Sequence, residues 1–154
     1  MFKAFAIDTP FITNYGIKTF NDFANGQKIQ VMDKDGLWRE ATVRRFNMDD
    51  MQQVTFIKGD ITRTVDCSID HKWLLDNGIT TKYLTKGQKL YPFAHGMYYN
   101  ISTTEKKITY DQISQQWQVL DVRIINSNGI ACCVEEPITH SFCLEGNIVT
   151  LDCY

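Results

Sequence analysis

Five cysteines and three histidines carry the sharpest chemistry in this chain, and their spacing sorts them into two groups. His71 lies in the run Asp66-Cys67-Ser68-Ile69-Asp70-His71-Lys72-Trp73. A hydroxyl three residues before an imidazole, with a carboxylate beside the ring and an indole two residues on, could converge on one peptide bond. A hydroxyl, a backbone N–H and an imidazole gathered there make an oxyanion hole with a general acid. The same spacing also suits a histidine that closes a hairpin while Ser68 and Asp70 cap its turn. His140 lies near the other end, in the segment Ala131–Cys153 that also carries Cys132, Cys133, Cys143 and Cys153. A thiolate is a strong nucleophile, and a nearby imidazole lowers the thiol pKa and shuttles its proton. Cys133 falls near the end of one predicted strand and Cys153 just beyond the last. A tight turn through Glu145-Gly146-Asn147 would bring them together. Two alternatives stand beside this one. The cysteines are inert core residues, or Cys133, His140, Cys143 and Cys153 form a metal site, whose spacing matches no common zinc pattern.

Whatever these groups do, composition bounds the scaffold that holds them. The chain has 154 residues, 44% hydrophobic and 22% charged, which suits one globular domain with a single sizeable core. With 16 Lys+Arg against 18 Asp+Glu and no block of like charge, nothing electrostatic points to nucleic acid or an anionic membrane. No apolar run approaches the ~18 residues of a membrane span. Met1-Phe2-Lys3-Ala4 lacks a signal peptide's apolar stretch, so the expected address is the cytoplasm. There is no CxxC pair, which excludes a zinc ribbon or a thioredoxin-like motif.

Strand signals dominate. Alternating or β-branched runs predict strands at Lys28–Met32, Arg39–Arg45, Gln53–Ile57, Ile61–Val65, Val119–Ile125, Gly129–Val134 and Ile148–Leu151. Turn signals fall at Asn25-Gly26, Asp35-Gly36, Lys58-Gly59-Asp60, Asn77-Gly78, Asn128-Gly129 and Glu145-Gly146-Asn147. Only Thr19–Ala24 and Tyr83–Lys86 read as single helical turns, so the expected class is all-β. An internal repeat supports two similar halves: an aromatic-bearing turn runs into Gly26-Gln27-Lys28-Ile29, and another into Gly87-Gln88-Lys89-Leu90. Residues 94–118 are polar and weakly periodic, a connector in which His95 is expected to be solvated.

Four segments together resemble the inteins, self-splicing domains of the Hint family that also includes hedgehog-type autoprocessing modules. Ala4-Phe5-Ala6-Ile7-Asp8-Thr9-Pro10, followed by Thr13-Asn14-Tyr15-Gly16, resembles the intein start, where Asp-Thr-Pro precedes a Thr-x-x-Gly hairpin. Lys18–Val31 resembles its Gly-Asp/Gln-x-Ile-x-Val sequel. Ser68-Ile69-Asp70-His71 resembles the Thr-x-x-His motif, with Ser in place of Thr. His140-Ser141-Phe142 through Thr150-Leu151-Asp152-Cys153 resembles the two C-terminal motifs. The likeness spans nearly all of residues 4–153, and the pseudo-two-fold Hint horseshoe suits the internal repeat.

The resemblance implies a Hint splicing domain over residues 4–152, preceded by upstream-extein or vector residues 1–3 and followed by downstream-extein residues 153–154. It implies a mini-intein with no room for a homing endonuclease. The implied chemistry is autocatalytic splicing. A thiol attacks the Lys3–Ala4 carbonyl to give a thioester, while His71 and Ser68 strain and protonate that bond. Cys153 captures the acyl group in a branched intermediate, the last intein residue cyclises with help from His140, and the thioester rearranges to an amide. Such a domain turns over once. It implies no cofactor, no metal, no nucleic acid and no membrane; the partners are flanking exteins in cis, and the domain is a monomer. The competing functions are a Hint relative that only cleaves and a non-catalytic Cys/His β-domain; Cys153 after the final strand favours splicing.

Three positions depart from the commonest intein pattern. Ala4 stands where most inteins carry the attacking Cys or Ser. Either it was engineered to trap an unspliced precursor, or the chain resembles a variant that starts without a nucleophile and attacks with an internal cysteine seven residues before the late histidine. That variant also has a Trp two residues after the Thr-x-x-His histidine and a Thr two before the terminal residue. Cys133, Trp73 and Thr150 stand at those positions. The variant usually continues with Ser or Thr, whereas Cys153 follows here; otherwise Cys133 tunes the protonation of the missing first thiol. Asp152 replaces the usual Asn, so cyclisation must pass through an anhydride rather than a succinimide. Leu151 replaces the customary penultimate His, leaving His140 as the main proton donor. Asp70 is expected in support of His71. Cys67, Cys132 and Cys143 are expected to be structural, with Cys132 facing opposite to Cys133 by the period of two along a strand. A natural split is also open, with the break after His95.

Overall fold

The computed structural model describes residues 4–93 and 116–153. The connector at 94–118 therefore lies outside the described residues except for 116–118, as do His95, the flanking residues 1–3 and Tyr154. Eleven strands are described: β1 (Phe5–Ala6), β2 (Pro10–Thr13), β3 (Gly16–Thr19), β4 (Lys28–Met32), β5 (Trp38–Lys58), β6 (Ile61–Ser68), β7 (Trp73–Leu74), β8 (Thr80–Thr81), β9 (Gln118–Glu135), β10 (Ser141–Leu144) and β11 (Ile148–Leu151). The main sheet runs β11-β10-β2-β4-β5-β6-β1-β9, β3 adds to β2, and β5 pairs a second time with β9, so the sheet curls back on itself. The class is all-β, as the strand and turn signals predict.

Long strands replace some of the short ones. The runs at Arg39–Arg45 and Gln53–Ile57 are both parts of β5, and those at Val119–Ile125 and Gly129–Val134 are both parts of β9. The two pair antiparallel from Thr42↔Glu135 to Ile57↔Gln118, so each gives the other a continuous set of backbone partners. The expected turn at Asn128-Gly129 is consequently no turn. The register slips between Met48 and Asp50, and Gly129, at φ 87°, supplies the left-handed residue that such a bulge needs. Tyr83–Lys86 is not helical either. Thr81 Oγ1 accepts the Tyr83 N–H at 3.0 Å and Gln88 Oε1 accepts the Thr85 N–H at 2.8 Å; these side chains compete for the donors a helix would use. At Thr19–Ala24 only Phe20–Asp22 forms a 3-10 turn, its start held by Thr19 N–H to Asp22 Oδ2 at 2.9 Å.

The repeat seen in the sequence is a repeat of hydrogen bonds. In the first copy the Gly26 N–H donates to Val43 O (2.7 Å) and the Val43 N–H returns to Gln27 O (2.9 Å). In the second, Gly87 N–H donates to Val119 O (2.8 Å) and Val119 N–H returns to Gln88 O (2.8 Å). Each glutamine side chain accepts the N–H three residues back, from Ala24 at 3.0 Å and Thr85 at 2.8 Å. Each glycine is left-handed, φ 86° and 92°. Gly-Gln-Lys is thus a device that docks a turn onto a long strand, used once on β5 and once on β9. Between these halves lies an aromatic core. Phe11 stacks on Phe20 at 4.4 Å, and Phe142 meets the Phe5 ring edge-on at 5.7 Å; all four are fully buried.

Candidate active site

The two-residue strand β1 threads between β6 and β9: Phe5 is opposite Cys67 on one side and Cys132 on the other, and Ala6 is opposite Ala131. That register carries Ala4 to the end of β6. Its carbonyl accepts the Ser68 N–H at 2.7 Å, and its own N–H donates to Ser68 Oγ at 3.1 Å. Ala4 is fully buried in a small cluster with Met51, Ala131 and Cys133, with Cys153 packed against it. The nitrogen of the bond preceding Ala4 therefore touches the Ser68 hydroxyl, and the Cys133 side chain lines the same cluster.

His71 closes the turn after β6 through its N–H to Ser68 O at 3.0 Å, the turn-closing role that its spacing from Ser68 allows. Its ring is fully buried, 4.4 Å from the Phe5 ring and 4.8 Å, edge-on, from Trp73. Nε2 lies 2.6 Å from Thr150 Oγ1, whose hydroxyl donates to Leu151 O at 3.2 Å. Asp70 is half-buried on the same turn. Thr150 Oγ1 and the Phe5 and Trp73 rings surround the imidazole.

β10 and β11 form a hairpin, with Ser141 opposite Leu151 and Leu144 opposite Ile148, closed by the Glu145-Gly146-Asn147 turn with Gly146 at φ 83° and Asn147 at φ 63°. The hairpin returns the chain to the end of β9, where Cys153 N–H donates to Val134 O at 3.2 Å. Cys133 and Cys153 are joined by a disulfide, with their Cα atoms 5.9 Å apart. Asp152 is fully buried. Its N–H donates to His140 O at 2.9 Å, and its Oδ2 accepts the Glu136 N–H at 2.8 Å and lies 3.4 Å from His140 Nδ1. His140 itself is half-exposed, with its backbone left-handed at φ 55°.

The remaining thiols are shut in. Burial pushes Cys67 up to about 12, against the lowering contacts of Gln52 and Trp73. Burial also raises Cys132 despite the Arg45 charge, and raises Cys143 with help from Asp33. Cys132 packs with the main core and Cys133 with Ala4, on opposite faces of β9. Cys143 belongs to a third cluster with Ile12, Met32, Phe93 and Val149, so Cys133, His140, Cys143 and Cys153 do not converge as a metal site would require. Among the described residues no group of three or more His, Cys, Asp or Glu side chains could hold a metal ion, and no helix is long and apolar enough to cross a membrane.

Sequence reasoning passed over Glu136. It is fully buried and organises the turn that carries His140; the available signal was a carboxylate three residues before Thr139, with Pro137 next to it.

No protein-family model and no curated protein sequence matches the chain. Solved structures do. The Ssp DnaB mini-intein variant M86 aligns at a TM-score of 0.72 and 11% identity, over 99% of this chain and 94% of that one. A gp41-1 intein variant, with a cysteine changed to alanine, a phenylalanine to tryptophan and an aspartate to cysteine, aligns at 0.64 and 17%, over 97% and 98%. A bacterial intein-like domain from Clostridium thermocellum aligns at 0.65 and 13%, over 96% and 97%. The fold is the all-β Hint fold that these proteins share.

Proposed function

We propose that this domain of Hint fold is an intein: it excises residues 4–152 and joins the flanking segments, with Cys133 as its first nucleophile. One observation carries the reading. Ala4 at the upstream junction, Cys133 on β9 and Cys153 at the downstream junction pack in a single cluster, with the two sulfurs bonded to each other. A domain that only cleaves has no use for a second thiol beside the first, whereas a domain that ligates must hand an acyl group from one end of itself to the other.

In the reduced protein Cys133 Sγ attacks the carbonyl carbon of the bond preceding Ala4. The C–S bond forms, the C–N bond breaks, and the Ala4 nitrogen leaves with the electron pair and takes a proton. The Ser68 hydroxyl, at 3.1 Å, and the buried His71 supply and stabilise that proton transfer. Cys153 Sγ displaces Cys133 Sγ from the acyl carbon, a thiol–thioester exchange that conserves the bond type. Asp152 then closes on its own carbonyl, freeing the Cys153 nitrogen, which takes the acyl group from sulfur to give the new peptide bond. Burial of Ala4, His71 and Cys133 keeps water from the thioester until the exchange is complete. The gp41-1 variant has an alanine, a tryptophan and a cysteine by substitution. Residues of those types stand here at Ala4, Trp73 and Cys133, the types expected of an intein that starts without a nucleophile.

The test is intact-mass spectrometry of the chain placed between two tagged segments and incubated with a dithiol at neutral pH. Joined tags together with a free 4–152 fragment are the expected products. Two separated tags would make it a cleaving Hint domain. A precursor that persists even after Ala4→Cys and Asp152→Asn would overturn the reading.

A further inference from the structure

We infer that Glu136 is the positioning residue of the downstream junction, its carboxylate building the turn that carries His140 and its own N–H clamping the Asp152 carboxylate. The inference rests on the splicing reading only for what the clamped carboxylate goes on to do.

The carboxylate side comes first. Glu136 follows β9 and is fully buried. Oε1 accepts the Ile138 N–H at 2.7 Å. Oε2 accepts the Thr139 N–H at 2.8 Å, the Thr139 hydroxyl at 2.7 Å and the Ser141 N–H at 3.4 Å. A buried carboxylate is costly unless donors saturate it, and here four do, all from the five residues that follow. The segment from Pro137 to His140 is thereby folded back on Glu136, whose carbonyl also accepts the His140 N–H at 3.2 Å. That closure holds His140 in its left-handed conformation, a state that a residue with a Cβ keeps only under constraint.

The backbone side faces the junction. Glu136 N–H donates to Asp152 Oδ2 at 2.8 Å, the Asp152 N–H donates to His140 O at 2.9 Å, and His140 Nδ1 lies 3.4 Å from the same Oδ2. One residue therefore holds both the nucleophile and the acid of the downstream cut. With Oδ2 tied to the Glu136 N–H, the Asp152 side chain is fixed in rotation and Oδ1 is the oxygen that turns to bond. Oδ1 attacks the Asp152 carbonyl carbon, a five-membered cyclic anhydride closes, and the bond to the Cys153 nitrogen breaks. The nitrogen keeps the electron pair and takes a proton relayed by the His140 side chain; water later opens the anhydride to two carboxylates. A carboxylate is a poor ring-closer, so the cut depends heavily on such fixed orientation.

In the reduced, tagged chain, Glu136→Ala is expected to slow release of the Cys153-bearing segment by about tenfold or more. The upstream thioester, trapped with hydroxylamine, should form at the parental rate. Glu136→Asp, which keeps the charge on a side chain one methylene shorter, should recover part of the loss. A second readout needs no cleavage at all: hydrogen exchange at residues 136, 138 and 139. Those amides should lose protection in Glu136→Ala while the Ser68 and His71 amides keep theirs. Equal slowing at both junctions, or an amide at 136 that stays protected in the alanine variant, would overturn the inference. A parent chain inert at both junctions would count against splicing instead, and the exchange measurement would still decide the clamp.

Discussion

The two junctions share one cluster but are held by different forces. Around Ala4 the walls are apolar: Phe5, Trp73 and Met51 are all buried, the His71 ring is sealed between Phe5 and Trp73, and a single hydroxyl, on Ser68, reaches the Ala4 nitrogen. Around Asp152 the frame is polar, built from Glu136, Thr139, Ser141 and the peptide groups between them, and its imidazole is 49% exposed. On the splicing proposed above, the difference matches the chemistry each end would do. A thioester must be kept from water, so packing orients the upstream groups. The ring-closing cut exchanges protons with solvent and ends in hydrolysis, so a hydrogen-bonded frame open on one side suits it. Packing gives exclusion; hydrogen bonds give orientation.

The largest expected effect separates the two outright. Cys133→Ala should abolish upstream cleavage while the Asp152 cut continues, because ring closure at Asp152 uses no thiol; mass spectrometry of the released tags reads both at once. Upstream cleavage that survives this change would move the first attack away from Cys133. The disulfide offers the same separation without mutation. With Cys133 and Cys153 bridged neither sulfur can attack, so omitting the dithiol should stop thioester formation and leave the Asp152 cut at its reduced rate. Next in size is His71→Gln, which keeps a polar group against Thr150 and removes the imidazole. The upstream rate should fall by about 10²–10⁴-fold, the usual worth of a positioned acid or base, with little change downstream. A comparable fall at both ends would show that the ring matters chiefly as packing.

A smaller effect probes the polar frame through pH. Burial alone would raise the Glu136 carboxyl, but the hydrogen bonds from the Thr139 side chain and the Ile138, Thr139 and Ser141 N–H groups outweigh it and hold it below its ordinary value. The folded chain thus takes up this proton less readily than the unfolded chain. The resulting stabilisation is fully present above the unfolded carboxyl's pKa and disappears as pH falls through the lowered one. Urea midpoints measured across the acid range should slope less steeply for Glu136→Gln than for the parent, with the difference gone in strong acid. Parallel slopes would remove the carboxylate from the account of this turn.

These contrasts also explain what the sequence could and could not announce. β4 and β11 have the predicted bounds; β4 lies between the Asn25-Gly26 and Asp35-Gly36 turns and β11 starts right after the Glu145-Gly146-Asn147 turn. β5 and β9 each read as two runs, β9 because Asn128-Gly129 spells a turn locally while its actual use, a bulge, depends on a partner strand far away in the chain. The Gly-Gln-Lys repeat was legible because the same side-chain and backbone bonds need the same residues twice. Ser68 and His71 could be singled out by type and spacing, and Thr150 by the resemblance. Glu136 could not, since a carboxylate beside a proline looks like any surface turn until burial and its four donors are known. The contact of Thr150 with the imidazole joins residues 79 positions apart and is seen only in the fold.

The smallest expected effect tests whether the two ends are independent of the scaffold's symmetry. Gly87 sits at φ 92° with nothing within 4 Å of where a Cβ would lie. Gly87→Ala therefore adds no clash, only the strain of a left-handed alanine, about 1 kcal/mol. The urea midpoint should drop accordingly, with both cleavage rates held at parental values, because this turn contacts β9 at Val119, at the opposite end of that strand from Cys133. A change in the ratio of the two rates would mean that the second repeat sets the register of β9, and through it the position of Cys133 between the junctions. The two sites would then be one mechanical unit, and the separation by packing and hydrogen bonding would hold only for the local geometry.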